Sequence, residues 1–136
     1  MAIQYTIYQD NRKNIGTKLH YGRAVHPTTL DTKAIAARVQ RQCAMTIGDV
    51  QSVITNLVSV MTDELQNSNK VKLDGLGTFY ISLKSVGALA EEDFNANEHI
   101  KGFRVNFLAE GTKSNGVVSR TFTSGLKAMK AVGSVK

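Results

Sequence analysis

The sequence has little cysteine or proline and lacks a long hydrophobic run. Cys43 is the single cysteine, so an internal disulfide and a zinc site built from several thiolates are both excluded. The first 14 residues turn polar too soon for a signal peptide, and no stretch approaches the ~18 apolar residues of a membrane-spanning helix. Pro27, the only proline, fits a connecting turn. We therefore expect a soluble, cytoplasmic protein without a membrane partner.

Signals for catalysis are also scarce. His20, His26 and His99 lack the spacing of a metal site, and the sequence has neither a glycine-rich phosphate loop nor a nucleophile elbow. Glu91 and Glu92 are adjacent in the chain, whereas paired catalytic carboxylates face each other across a cleft. We expect no enzymatic activity, no cofactor, no metal and no small-molecule substrate.

Positive charge is present in excess. The formal net charge is +6 and the isoelectric point is about 9.6, which suggests a polyanionic partner. From residue 113 to the end there are five basic residues and no acidic one. A hydrophobic content of 42% with 21% charged residues is ordinary for a folded protein. The length predicts one domain over residues 1–136.

Residues 46–65 carry the clearest helix signal. Thr46 and Asp49 form a capping-box pattern, and Met45 and Val50 occupy the two positions of a hydrophobic staple. At 100° per residue the helix has one broad apolar stripe, which predicts packing against several elements or a second subunit. We expect a homodimer whose core contains the stripe and one strand residue: Val50, Val53, Ile54, Leu57, Met61, Leu65 and Phe79.

A shorter helix precedes this one. Asp31 or Thr32 can cap a helix that runs to about Cys43, with Ile35, Val39 and Cys43 repeating every four residues. Cys43 is interpreted as a small buried hydrophobic residue in preference to a reactive thiol or an intersubunit bridge.

Alternation of apolar and polar residues predicts strands on both sides of the helices. The pattern occurs at residues 3–8, at 71–74 and 78–83, and again at 103–107, and a second short strand is predicted at 19–25. Gly75 and Gly77 separate two of these runs, where a tight reversal or a close backbone approach needs glycine. The stretch at residues 109–116 is predicted to be a loop.

A capped helix that leads into the segment Gly75-Leu76-Gly77-Thr78-Phe79 resembles the histone-like HU and integration host factor family. The chain is most similar to the elongated HU-like proteins of Bacteroidetes-type bacteria. This resemblance implies an α+β fold with a helical dimerisation base, an antiparallel β-sheet, a β-arm and a short C-terminal helix. The tail matches that helix at Phe122, Ser124, Gly125, Lys127, Met129 and Lys130. The expected regions are a β extension at 1–30, a helix-helix-hairpin core at 31–83, an arm at 84–101, and a strand with a basic helix at 102–136.

The predicted arm departs from the family pattern. In shorter HU proteins the arm is rich in arginine and its tip carries an RNPxTG motif, whereas residues 85–100 here contain no arginine, no proline and no such motif. Glu91, Glu92, Asp93 and Glu98 give this segment a charge of −4, which should repel phosphate. Phe94 is expected to pack on its own domain more readily than to wedge between base pairs.

The resemblance implies a histone-like homodimer that binds duplex DNA with little sequence preference, through contacts of Lys and Arg with phosphates, and has an architectural role in the nucleoid. The expected contact residues are Lys127, Lys130, Lys113, Arg120, Lys84, Lys101 and Arg104. The alternative is an HU-like dimeric interaction or scaffold module that has lost DNA bending or binding. The basic segment at 1–30 either widens the DNA contact or, as we favour, is a hairpin that extends the sheet.

Overall fold

The computed structural model describes residues 1–12 and 16–132, and confirms a mixed α+β fold. The helices are α1 (Thr32–Gln40), α2 (Ile47–Gln66) and the short α3 (Ala96–His99), which follows a 3₁₀ turn at Glu91–Asp93. The strands are β1 (Ala2–Gln9), β2 (His20–Ala24), β3 (Val71–Leu73), β4 (Gly77–Ser85), β5 (Ile100–Ala109), β6 (Gly111–Ser114), β7 (Val117–Arg120) and β8 (Lys127–Lys130).

The chain divides into two compact units. The smaller unit comprises Met1–Asp31 and Thr123–Lys136, and the larger comprises Thr32–Phe122. The single-domain prediction stays a prediction, but the larger unit begins within one residue of the predicted start of the helix-helix-hairpin core. The prediction that the N-terminal hairpin extends the sheet of the larger unit is wrong, because β1 and β2 form a separate sheet with β8.

The larger unit contains the predicted succession of two helices and an antiparallel sheet, in the order β3-β4-β5. The capping box at α2 is confirmed, since the Asp49 amide donates to the Thr46 hydroxyl at 3.2 Å and the Thr46 amide donates to the Asp49 carboxylate at 3.0 Å. The Thr46 hydroxyl also donates to that carboxylate at 2.7 Å. These bonds satisfy donors that a helix start otherwise leaves unpaired.

The turn between β3 and β4 requires both glycines, as predicted, but for different reasons. Gly75 and Gly77 have φ values of 82° and 144°, which side chains disfavour. A Cβ at Gly77 would also lie 2.3 Å from the Leu108 carbonyl oxygen on β5, whereas one at Gly75 would meet nothing within 4 Å. Gly75 therefore supplies only conformational freedom, and Gly77 additionally lets two strands approach.

The first helix is shorter than predicted. It ends at Gln40, and Cys43 lies in the turns that follow, exposed, with its thiol donating to the Val39 carbonyl at 3.3 Å. The interpretation of Cys43 as a buried residue on the helix is wrong for this chain. The four-residue repeat continues past the point where the backbone leaves the helix.

The predicted C-terminal helix is also wrong. Residues 127–130 form β8, which pairs in parallel with β1, so the smaller unit is a sheet of order β2-β1-β8. Leu126, Ala128 and Met129 fit either structure, and the free edge of β1 supplies backbone partners that an isolated four-residue helix would lack.

The stretch at residues 109–116, predicted as a loop, contributes to a hairpin. Strands β6 and β7 pair around Asn115 and Gly116, whose φ values of 49° and 81° are typical of a type I′ turn. The Asn-Gly pair was the sequence signal for this hairpin, and it was overlooked.

Candidate nucleic-acid interface

The β3-β4-β5 sheet has one polar, basic face. The register pairs Ser82 with Arg104 and Lys84 with Gly102, so Lys84 and Arg104 share a face. The Asn106 side-chain amide donates to the Ser82 hydroxyl at 2.7 Å on this face. Both cations lie on exposed positions. This polar face carries further cations at the sheet edge: Lys72, which pairs with Thr78, and Lys70, whose ammonium lies 5.3 Å from the Tyr80 ring centroid.

The opposite face is apolar. The register brings Phe79 against Phe107, with ring centroids 4.7 Å apart, and continues through Ile81 with Val105 and Leu83 with Phe103. Phe103 is 72% exposed in the single chain. Apart from Leu108 and the Tyr80 ring, which lie on the polar face, the sheet separates polar from apolar side chains.

Lys101 lies at an irregularity in the pairing of β4 with β5. The register shifts between Lys84 and Ser85, so that Lys101 has no partner residue on β4. A residue left over in this way marks a β-bulge, which increases local twist. Lys101 is exposed and lies in sequence next to the acidic segment.

The predicted arm is not a β-ribbon. Strand β4 ends at Ser85 and β5 begins at Ile100, and the intervening residues 86–99 contain the 3₁₀ turn and α3. The Val86 amide closes this segment by donating to the His99 carbonyl at 2.8 Å. Phe94 stacks on the His99 ring at a centroid distance of 5.1 Å. Phe94 therefore packs on its own segment, and the four acidic side chains are exposed at the end of the sheet.

The β6-β7 hairpin places Lys113 and Arg120 on one face but in different environments. Lys113 is exposed, whereas Arg120 is half-buried and donates from Nη1 to the Ala109 carbonyl at 2.7 Å. A Cβ at Gly111 would lie 2.6 Å from the Ser119 carbonyl oxygen and 2.9 Å from the Arg120 side chain, so glycine lets β6 and β7 approach and leaves room for the arginine. Arg120 anchors the hairpin to the end of β5, which lowers its availability to a phosphate.

The C-terminal lysines lie on opposite faces of the other sheet. Lys127 pairs with Ala2 and Lys130 pairs with Tyr5, and residues three apart in a strand point in opposite directions. In the predicted helix the two would have shared a face. The seven predicted contact residues are thus split between two units, and Lys127 and Lys130 do not form one cluster.

The smaller unit holds most of the excess positive charge. Seven of the 17 basic residues but only two of the 11 acidic residues belong to it, so it carries +5 of the net +6. Within it, Asp10 binds Arg12 at 2.7 Å. Its β1-β2 hairpin also presents Tyr8 and Tyr21 side by side with Arg23, a set that the sequence analysis missed because their contact depends on strand register.

Other kinds of site find no support within residues 1–12 and 16–132. No group of three or more His, Cys, Asp or Glu side chains converges there as a metal site would require. None of the helices in the described part of the chain has the length and hydrophobicity to cross a membrane.

Comparison with known proteins agrees with this architecture. The match to a family model described as "HU domain fused to wHTH, Ig, or Glycine-rich motif" covers residues 1–124. A crystal structure from Bacteroides vulgatus, described as a candidate bacterial DNA-binding protein, is similar at a TM-score of 0.55 and 13% identity. The similarity covers 79% of this chain and 41% of that one, so this chain spans less than half of that protein. Among curated proteins, none matches in sequence. With a family match over nearly its whole length, the chain belongs to the HU-HIG family of HU domains.

Proposed function

We propose that the protein is a histone-like homodimer that binds duplex DNA with little sequence preference and organises it in the nucleoid. Membership of an HU family supports a DNA-binding role, and the description of the similar Bacteroides structure points the same way. The observation that carries the proposal is the two-sided β3-β4-β5 sheet, which presents cations on one face and an uncovered apolar surface on the other.

The apolar surface supports the homodimer. Of the hydrophobic residues that the structure describes, only Ala36 and Val50 are buried. On α2, Val53, Val58 and Val60 are each more than half exposed, and Phe103 and Val105 are similarly exposed on the sheet. An apolar surface on this scale marks an interaction site. A second copy is the partner we propose, because a two-fold axis would bring identical apolar surfaces together.

The polar face supports contact with phosphates. Lys84 and Arg104 share it, and both are free of ion pairs among those identified in residues 1–12 and 16–132. Lys101 and Lys113 are exposed on the same unit, and Lys127 and Lys130 add to the charge of the smaller unit. Cations that neutralise phosphates release condensed counterions and give affinity without reading bases.

The alternative function is an HU-like dimeric interaction or scaffold module that has lost DNA bending or binding. The compact acidic segment at 86–99 favours it, because an exposed charge of −4 stands where HU proteins extend a cationic arm. The two functions are compatible in part. A protein that coats DNA with its polar sheet face does not need an arm that clamps and bends the DNA.

The test is a salt titration, from about 50 to 200 mM, of binding to a random-sequence duplex and to a kinked duplex. We expect micromolar or tighter binding to both at low salt, with log affinity falling by about 0.9 per phosphate contact for each unit of log salt. Equal affinities would indicate coating without bending, and preference for the kinked duplex would show retained bending. Failure to bind either at low salt would support the interaction module.

A matched pair of variants locates the contact. Changing Lys84 and Arg104 together to Gln should reduce the salt dependence and the affinity. Changing Lys33 and Arg41 to Gln removes the same charge from the α1 region and should have a smaller effect. Equal effects of the two pairs would contradict contact through the sheet face.

A further inference from the structure

The β1-β2 hairpin of the smaller unit presents two neighbouring tyrosine rings on one face. Tyr8 and Tyr21 are a direct cross-strand pair, with ring centroids 6.0 Å apart and ring planes tilted by 35°. Tyr8 is 40% exposed and Tyr21 is 38% exposed, so neither ring is enclosed by the protein. Together they form an aromatic surface that remains accessible to a ligand.

An arginine belongs to the same surface. Arg23 pairs with Thr6, which shares a face with Tyr8, and its guanidinium lies 4.5 Å from the Tyr8 ring centroid. This cation–π contact orients the arginine beside the rings. Lys127 lies on the same face, opposite Ala2 and about 20 Å from Tyr8 at the usual rise of a strand. The face therefore combines aromatic rings with cations along its length.

We propose that this tyrosine-arginine surface binds single-stranded DNA, with bases stacking on Tyr8 and Tyr21 and phosphates contacting Arg23 and Lys127. A net charge of +5 on this unit is complementary to a phosphate backbone. Aromatic rings beside cations are the combination with which proteins hold unpaired strands. In a duplex the base faces are stacked on one another, so the rings select DNA whose strands have separated.

This binding differs from the duplex contact in its chemistry and, apart from Lys127, in its residues. The duplex proposal relies mainly on cations of the larger unit, whereas this surface requires rings that lie in the smaller unit. Cross-strand tyrosines and an arginine contact also stabilise a hairpin, so the test must separate ligand binding from folding.

The decisive comparison uses the unmodified protein and two probes of equal charge. One is a thymidine oligomer of about six nucleotides, and the other is an abasic oligomer with the same number of phosphates. We expect the thymidine oligomer to bind at least about fivefold more tightly, the factor that corresponds to about 1 kcal/mol of stacking on one ring. The salt dependence should be equal for both, because the phosphate contacts are the same. Equal affinities, or no binding of either at low salt, would overturn the proposal.

Variants then test whether the two tyrosine rings are the groups that stack on the bases. Changing Tyr8 and Tyr21 to Phe keeps both rings and should keep the preference for the thymidine oligomer. Changing both to Thr keeps strand propensity and should abolish that preference, with duplex affinity largely retained. Ile7→Thr alters the opposite face of β1 and is the control that should leave the preference intact. If circular dichroism shows that the Thr variant is unfolded, the comparison of the two probes on the unmodified protein still tests the proposal.

A glutamate hexapeptide that competes as well as the thymidine oligomer would assign the surface to an acidic protein segment instead.

Discussion

Three hydrogen bonds link Thr46 and Asp49 at the start of α2. These bonds can be predicted directly from the local sequence, because donor and acceptor lie within one helical turn. The Thr46 side chain, followed by its backbone amide, lowers the pKa of the Asp49 carboxyl below its ordinary value of 3.8. The cap should therefore affect both the free energy of unfolding and its dependence on pH.

We expect Thr46→Ala to destabilise the protein by about 1 kcal/mol, since the variant loses an N-cap hydroxyl. Thr62→Ala is the control, because the Thr62 hydroxyl only donates to the Val58 carbonyl within the same helix. That change should be neutral or slightly stabilising. Urea unfolding at fixed protein concentration measures both variants. An unchanged midpoint for Thr46→Ala would show that the cap does not contribute.

The lowered Asp49 pKa predicts the direction of a pH effect. A carboxyl with a depressed folded-state pKa contributes stability that is present above its unfolded pKa and lost as pH falls through the folded value. The difference in unfolding free energy between unmodified protein and Thr46→Ala should therefore shrink below about pH 3.8. A difference that stays constant between pH 6 and about pH 3 would contradict this assignment.

At the scale of elements, sequence patterns predicted the long helix and the three-stranded sheet but not the tail. Residues 71–74, 78–83 and 103–107 alternate so regularly that only strands put their apolar side chains on one face. The tail has no such constraint, and its structure follows from pairing with β1, a strand more than 100 residues away. Long-range pairing of this kind overrides local propensity.

The acidic segment yields a prediction at the same scale. Glu91→Gln with Glu92→Gln should strengthen duplex binding by about two- to fivefold near 50 mM salt, because two repulsive charges next to the sheet are removed. The gain should disappear towards 200 mM as screening increases. Asp63→Asn with Glu64→Gln removes an adjacent acidic pair from α2 and serves as control. A gain that is equal in both variants, or independent of salt, would contradict a local effect of the segment.

For the whole molecule, the proposed dimer explains why only two hydrophobic residues of the described chain are buried. The broad stripe of α2 predicted a partner, and in the single chain most of its side chains remain partly exposed. We expect the proposed interface to be a main source of stability. Its loss should unfold the protein and not merely separate two stable subunits.

We expect a solution mass of about 30 kDa, twice the chain mass of 14.8 kDa, and a melting temperature that rises with protein concentration. Val53→Glu should lower both, although Val53 is 55% exposed in a single chain, because a second copy would bury the new charge. Ser59→Glu places the same charge on the exposed side of α2 opposite the apolar stripe and should be tolerated. A stable particle of about 15 kDa would refute the dimer, as would identical behaviour of the two variants.

Local sequence determined the capped helix, the glycine turn and the alternating strands, because each depends on residues within a few positions of one another. Tertiary structure alone decided the features that require distant residues: β8 along β1, Arg120 bonded to Ala109, and Tyr8 beside Tyr21. Register sets which side chains share a face, and a shift of one residue would reverse every assignment. For this reason the amount of positive charge could be read from the sequence, whereas its division between two units and among separate sheet faces could not.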